Sequence, residues 1–266
     1  MIPARKSPLL SRWFADYTRR YLRRSFHAVY LLGDLPDLRA CDRVPLIVCL
    51  NHTSWWDVLL GTTLANDVFG WEWYGVMDAR QLERYRMFTR MGMIGVDRTS
   101  LAGAREFLEY ATRLLRGQRR ALWLTPQGEM LSNRARPVRF QPGVGHLVAQ
   151  LGDCYVTTVA LHYEFWQEKR PEAFAALGPV QRVHVDANFR HRDFVCQQER
   201  ALEAQLDALL ALAQQRDPAA FRLLLKGRSG ISPTYDLLRS LGARLRGQPF
   251  HADHGEVVTP PWRSRR

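Results

Sequence analysis

The sequence is short of the residues that build metal sites and disulfide frameworks. Its four cysteines, Cys41, Cys49, Cys154 and Cys196, are scattered through 266 residues, with no CxxC pair and no histidine beside them at metal-ligand spacing. That excludes a zinc ribbon and a disulfide scaffold, and makes a reduced, cytoplasmic setting the simplest expectation, with no metal and no resident cofactor. Long apolar runs are also missing. No stretch approaches the ~20 residues of a spanning helix, and the N-terminus lacks the apolar core and small-residue cleavage site of a signal peptide, so the chain is not expected to cross a membrane. There is no internal repeat, and no RNP motif, zinc knuckle or helix-turn-helix pattern, so no specific nucleic-acid partner is expected. Negative charge is the remaining shortage. The 26 Asp and Glu face 38 Lys and Arg, giving +12 and a pI near 10.1. Such a balance favours anionic partners: phospholipid surfaces, nucleic acid, coenzyme phosphates or an acidic carrier protein.

What is present is a core-forming chain. At 46% hydrophobic residues it can bury one substantial α/β domain. Strands are expected near Leu46 to Leu50, Trp71 to Met77, Ala121 to Thr125, Tyr155 to His162 and Val180 to Asp186, and helices at Thr99 to Arg116 and Gly143 to Leu151. The near-continuous apolar run from Pro45 to Leu50 implies burial on both faces, hence a largely parallel central sheet flanked by helices. Gln198 to Lys226 reads as a further helical region, interrupted at Asp217-Pro218.

Both ends differ from this middle. From Ser11 to Leu32, Trp13, Phe14, Tyr17, Tyr21, Phe26, Val29 and Tyr30 alternate with Arg12, Arg19, Arg20, Arg23 and Arg24 at broadly helical spacing. That composition suits an amphipathic membrane-interface helix, with rings at headgroup level and arginines on anionic lipid; the alternative is a helix whose aromatic face packs on the domain. Gly247 to Arg266 holds Pro249, Pro260, Pro261 and terminal arginines and reads as an irregular basic tail. The organisation expected is thus a membrane-associating region over 1–33, a central domain over 34–246 and a tail over 247–266.

The most informative stretch is Leu50-Asn51-His52-Thr53-Ser54-Trp55-Trp56-Asp57. A histidine titrates near neutral pH, and a carboxylate beside it fixes its tautomer and stabilises the imidazolium, which is the arrangement that activates a hydroxyl. On a regular helix His52 and Asp57 would lie roughly 140° apart around the axis. The segment must therefore bend, in a tight turn from strand into helix that closes Asp57 onto His52.

Three more segments join this pair: Gly92-Met93-Ile94-Gly95-Val96-Asp97-Arg98, Thr125-Pro126-Gln127-Gly128-Glu129 and Val156-Thr157-Thr158-Val159-Ala160-Leu161. In order and spacing the four resemble the blocks of the glycerolipid (1-acylglycerol-3-phosphate) acyltransferase superfamily. Asn51, His52, Ser54 and Asp57 match its NHxSxxD block, Gly92 to Arg98 its second, Pro126 and Gly128 part of its third (Phe-Pro-Glu-Gly-Thr-Arg), and Thr158 to Leu161 its fourth, across Leu46 to His162. The resemblance implies an O-acyltransferase. His52 would be the general base, Asp57 its orienter, and the backbone around Gly128 the oxyanion donor, with Asn51, Ser54, Arg98, Gln127 and Glu129 lining the substrate site. No serine or cysteine acyl intermediate is implied, and no GxSxG elbow is present.

The third block departs from the family. Gln127, Glu129 and Met130 stand where it carries Glu, Thr and Arg, so the phosphate-facing arginine is absent and an added carboxylate would repel a phosphate. Arg134, Arg136 and Arg139 follow and offer a replacement cation. The expected function is transfer of a fatty acyl group from acyl-CoA or acyl carrier protein to a lipid hydroxyl, at the cytoplasmic face of a membrane, by a peripheral enzyme. The acceptor expected is a glycolipid or other non-phosphate lipid. The alternatives are acylation of lysophosphatidate to phosphatidate and, in another class, a non-catalytic membrane or nucleic-acid binding module.

Overall fold

The structure is a computed structural model and describes residues 1–38, 41 and 43–229. The basic tail over 247–266 lies outside the described residues. One sheet organises the chain, with strands β1 (Ala28–Leu32), β2 (Leu46–Leu50), β3 (Glu72–Asp78), β4 (Met93–Val96), β5 (Arg120–Leu124), β6 (Cys154–Glu164), β7 (Glu172–Leu177), β8 (Gln181–Val183) and β9 (Arg222–Lys226). Their order is β4-β3-β5-β2-β6-β7-β1-β9, with β8 on the side of β6. From β4 to β6 every pairing is parallel; β6 pairs antiparallel with β7, and β9 antiparallel with β1. The largely parallel α/β sheet expected from the sequence is therefore present.

Burial on both faces explains the strand sequences. Ile47 and Cys49 of β2 face a core shared with α4 (Leu101–Leu115), α5 (Gly143–Leu151) and α6 (His191–Gln215). Leu46, Val48 and Leu50 face a second core, closed by α1 (Pro8–Ser25) and α2 (Trp56–Leu64). A strand covered on both sides has no polar face to show, hence Leu-Ile-Val-Cys-Leu without alternation.

Three element assignments differ from expectation. Helix α1 stops at Ser25, and Val29 and Tyr30 instead sit in β1, buried between β7 and β9; their branched and aromatic side chains suit a strand better than a helix end. The sheet thus draws on the segment before residue 33. Arg222–Lys226 is strand β9, not helix: α6 ends where Arg216 adopts a left-handed φ of 56°, Asp217 caps a single 3-10 turn, and the leucines that follow pair with β1. The strand expected over Val180 to Asp186 shrinks to the short β8.

On α1, Phe14, Thr18 and Leu22 recur every fourth residue and are buried against the domain, as the packing alternative requires. Leu9, Trp13 and Tyr17 lie on the outside and stay exposed.

Helix α6 has a second task. Its carboxylates hold the long segment between β5 and α5 in place: Val138 N–H donates to Glu203 at 2.6 Å and Phe140 N–H to Glu199 at 2.7 Å, while Arg139 pairs with Glu199 at 3.3 Å and Arg136 Nε with Asp207 at 3.0 Å. Glu199 is buried, so deleting it strands the Phe140 amide without an acceptor, a loss of about 1–3 kcal/mol. Glu199→Ala is expected to lower the urea unfolding free energy by that amount, and a change under about 0.5 kcal/mol would show that α6 does not hold the segment.

Candidate active site

The chain makes the turn that His52 and Asp57 need. Strand β2 ends at Leu50, α2 begins at Trp56, and Asp57 falls in the helix's first turn, where a negative charge is favoured by the helix dipole. The Asp57 carboxylate then reaches back. Its Oδ2 accepts from His52 Nδ1 at 2.8 Å, from Thr53 N–H at 2.7 Å and from Ser54 N–H at 2.9 Å. One oxygen thus shapes the turn and holds the imidazole.

Its other oxygen is served by a residue that sequence reasoning missed. Tyr163, at the end of β6, donates its hydroxyl to Asp57 Oδ1 at 2.8 Å. Burial first, and then the neighbouring Asp57 charge, push the Tyr163 phenol well above its ordinary value, so it remains a donor. No motif announces Tyr163; the only sequence signal is its place two residues beyond the fourth block, on a strand that neighbours β2.

Solvent reach separates the two members of the pair. The Asp57 side chain is 2% exposed and that of His52 20%, so the carboxylate is sealed while the ring edge is accessible. With Nδ1–H donated to Asp57, Nε2 is the nitrogen free to take a proton. It has no partner among the described residues.

The third block wraps His52 from the other side. Gln127, buried, accepts the His52 N–H on its Oε1 at 2.9 Å, and Leu131 N–H donates to the His52 carbonyl at 2.8 Å. Both backbone groups of His52 are therefore fixed by this one segment. Thr125 to Gly128 form a turn, with proline second in it and the Gly128 N–H donating to Thr125 O at 3.1 Å. Gly128 has φ +81°, and a Cβ there would come within 3.2 Å of Gln141 Cγ and 3.6 Å of Arg98 Nη1. The Arg98 side chain thus lies beside Gly128, bringing the second and third blocks together.

The other residues expected to line the substrate site make the following contacts. Asn51 is buried and clasps β6: its Nδ2 donates to Leu161 O at 2.9 Å and its Oδ1 accepts from Leu161 N–H at 2.6 Å. The Ser54 hydroxyl accepts from Trp56 N–H at 3.3 Å, in the turn. Arg98 is half exposed and sits 3.5 Å from Asp78, while the neighbouring Asp97 accepts from Thr99 and Ser100. Those bonds, the Thr99 hydroxyl foremost, hold the Asp97 carboxyl down at about 2. Glu129 and Met130 are exposed. Of the three arginines that follow, Arg136 and Arg139 are engaged by α6 carboxylates, and Arg134 alone pairs with no carboxylate among the described residues.

His162, next to Tyr163 on the strand, faces the opposite core. Its Nε2 lies 3.1 Å from Glu164, and burial holds its pKa below the ordinary histidine value. It stacks on Phe174 and takes no part in the dyad. No cluster of metal-ligating side chains occurs among the described residues, and none of their helices is long and apolar enough to span a membrane.

A histidine held by a sealed carboxylate, with one nitrogen open and a glycine turn and an arginine beside it, can deprotonate a hydroxyl. Comparison with known proteins points the same way. Residues 31–162 match a family model described as Acyltransferase, a span that runs from β1 to His162 and contains all four blocks. A comparison with curated proteins finds no match. The span and the mostly parallel sheet agree, and residues 31–162 carry an acyltransferase domain of the glycerolipid acyltransferase superfamily.

Proposed function

We propose that the protein transfers a fatty acyl group from a thioester donor, acyl-CoA or acyl carrier protein, to the hydroxyl of a lipid. The observation that carries this reading is the 2.8 Å contact of His52 Nδ1 with Asp57, which leaves Nε2 to take the acceptor's proton as its oxygen attacks the thioester carbonyl. The proton passes from hydroxyl to Nε2 and then to the departing thiolate, so no acyl-enzyme is required. Asp57 is held by four donors, and Tyr163 acts through it as a positioning residue. Amides and dipoles of the turn around Gly128 are the source of oxyanion stabilisation; the Gly128 amide itself already closes that turn.

Glu129 decides the acceptor in this reading. Exposed beside the turn, a carboxylate accepts hydrogen bonds from sugar or glycerol hydroxyls and disfavours a phosphate. A second reading, acylation of lysophosphatidate to phosphatidate, is favoured by Arg98 beside Gly128, a guanidinium suited to a phosphate fork. One panel separates them. Purified protein is given labelled acyl-CoA and acyl carrier thioester with glycolipid, lysophospholipid and lysophosphatidate acceptors. Transfer is expected to fall by about 10²–10⁴-fold in His52→Ala on whichever acceptor the wild type uses. Equal transfer by wild type and variant on every acceptor would overturn the assignment.

The enzyme is further proposed to work as a peripheral protein at the cytoplasmic face of a membrane. Leu9, Trp13 and Tyr17 project from α1, and stacked rings run from Trp13 through Tyr17 to Tyr21, which meets the exposed Trp55 edge to face, three residues from His52. A lipid acceptor docked on this stripe would meet the dyad at its end. Because α1 is also packed on α2, substitution tests this better than truncation. Trp13→Ser with Tyr17→Ser is expected to reduce co-sedimentation with anionic liposomes several-fold at unchanged stability; full retention on liposomes would contradict it.

A further inference from the structure

Away from the four blocks, α1 and β9 build a basic cleft. About 300 Å³ in volume, it is lined by Arg20, Arg23 and Arg24 from the last turns of α1 and by Lys226, Gly227 and Arg228 from the end of β9. All five cationic side chains are exposed, and Arg20, Arg23, Arg24 and Arg228 form no ion pair among the described residues. Four guanidinium groups held together without a paired carboxylate among the described residues repel one another, and an anion relieves that repulsion.

The cleft is built into the backbone. A Cβ on Gly227 would fall 1.9 Å from the Phe26 carbonyl oxygen and 3.0 Å from that of Arg23, so only glycine lets β9 lie flat against the end of α1. Gly227 N–H donates to His27 O at 2.8 Å and Arg228 N–H to Phe26 O at 3.3 Å, locking the two basic segments together. A helix C-terminus repels anions, but here Arg170 Nε takes the Arg24 carbonyl at 2.9 Å and the Phe26 carbonyl is covered as well.

Its position gives it meaning. Glu164 at the end of β6 pairs with Glu172, Glu172 with Ala28, and Ala28 with Lys226, so the cleft opens on the same edge of the sheet as the dyad. Between β2 and the β1–β9 pair lie three to four strand spacings, about 14–19 Å. That is the reach of an extended phosphopantetheine arm. Packed rings connect the two places: Phe26, buried just after α1, contacts Trp56 and Tyr163, whose hydroxyl touches Asp57.

We propose that this cleft holds the phosphates at the nucleotide end of coenzyme A, while the thioester at the other end of the donor reaches His52. The proposal rests on the acyl-transfer reading and adds to it the residues that hold the donor and a preference between donors. Cations on two adjoining elements converge on one shallow cleft, which suits the clustered phosphates of one small group better than the spread acidic face of a carrier protein.

The test is the triple variant Arg20→Gln, Arg23→Gln, Arg24→Gln, whose side chains are exposed and whose fold is checked by its unfolding curve. Coenzyme A and adenosine bisphosphate are titrated calorimetrically into wild type, the triple variant and His52→Ala. Coenzyme A affinity is expected to fall by about tenfold or more in the triple variant and to hold in His52→Ala. The KM for acyl-CoA is expected to rise in step at similar kcat, while turnover of acyl-pantetheine, which lacks the nucleotide, stays unchanged. Equal coenzyme A affinity in wild type and triple variant overturns the proposal, and so does a variant that loses only binding to phosphatidylglycerol vesicles, which would give the cleft to lipid. If coenzyme A affinity falls in the variant yet no acceptor is acylated by the wild type, the cleft stands and the acyl-transfer reading fails.

Discussion

Everything in the site depends on one buried carboxylate. Asp57 accepts four hydrogen bonds, from the His52 ring, two successive backbone amides and the Tyr163 hydroxyl. Those bonds hold a charge away from water that would otherwise be costly to bury, and each also fixes a piece of geometry. The amides set the turn between β2 and α2, the ring sets the tautomer, and Tyr163 ties β6 to both. Because the carboxylate is sealed, its charge acts on the imidazole at low local dielectric, where orientation and stabilisation of an imidazolium are strongest.

Around this centre the third block changes its meaning. A family carboxylate replaced by Gln127 reads, in sequence, as an altered substrate pocket. In the structure Gln127 Oε1 accepts the His52 N–H. An amide oxygen does that as a carboxylate would, so this substitution is compatible with an intact dyad and says little about the acceptor. The weight of the departure moves to Glu129 and Met130, which are exposed, and to Arg98, which lies against Gly128.

The sequence made visible what rests on short-range pattern. Both-sided burial of β2 showed as an unbroken apolar run, and a histidine and an aspartate five positions apart, just after a strand, demanded a turn. What stayed hidden rests on pairing across distance. Strand β7, Glu-Ala-Phe-Ala-Ala-Leu, carries weak strand preference and is a strand because β1 and β6 flank it; β9 shows leucines that fit a helix as well. Tyr163, the Asn51 clasp on Leu161 and the α6 carboxylates under Val138 and Phe140 join residues about 60 to 110 positions apart. No local spacing encodes such contacts. Asn51 and Ser54 were expected at the substrate because they sit in the motif, whereas their side chains meet protein backbone.

The resulting picture is of a sheet whose one edge gathers the chemistry. The dyad sits at the ends of β2 and β6, the aromatic stripe of α1 leads up to it, and the cations of α1 and β9 lie along the same edge. The account stands or falls on Asp57 as the residue that both shapes the turn and aims the imidazole. Asp57→Asn keeps size and one acceptor oxygen but removes the charge and offers an amide where a carboxylate oxygen stood. Measuring acyl transfer and urea unfolding on this variant is the direct test: transfer is expected to fall by about 10²–10⁴-fold with a folded protein that is less stable by about 1–3 kcal/mol. Transfer within about twofold of wild type would contradict the account.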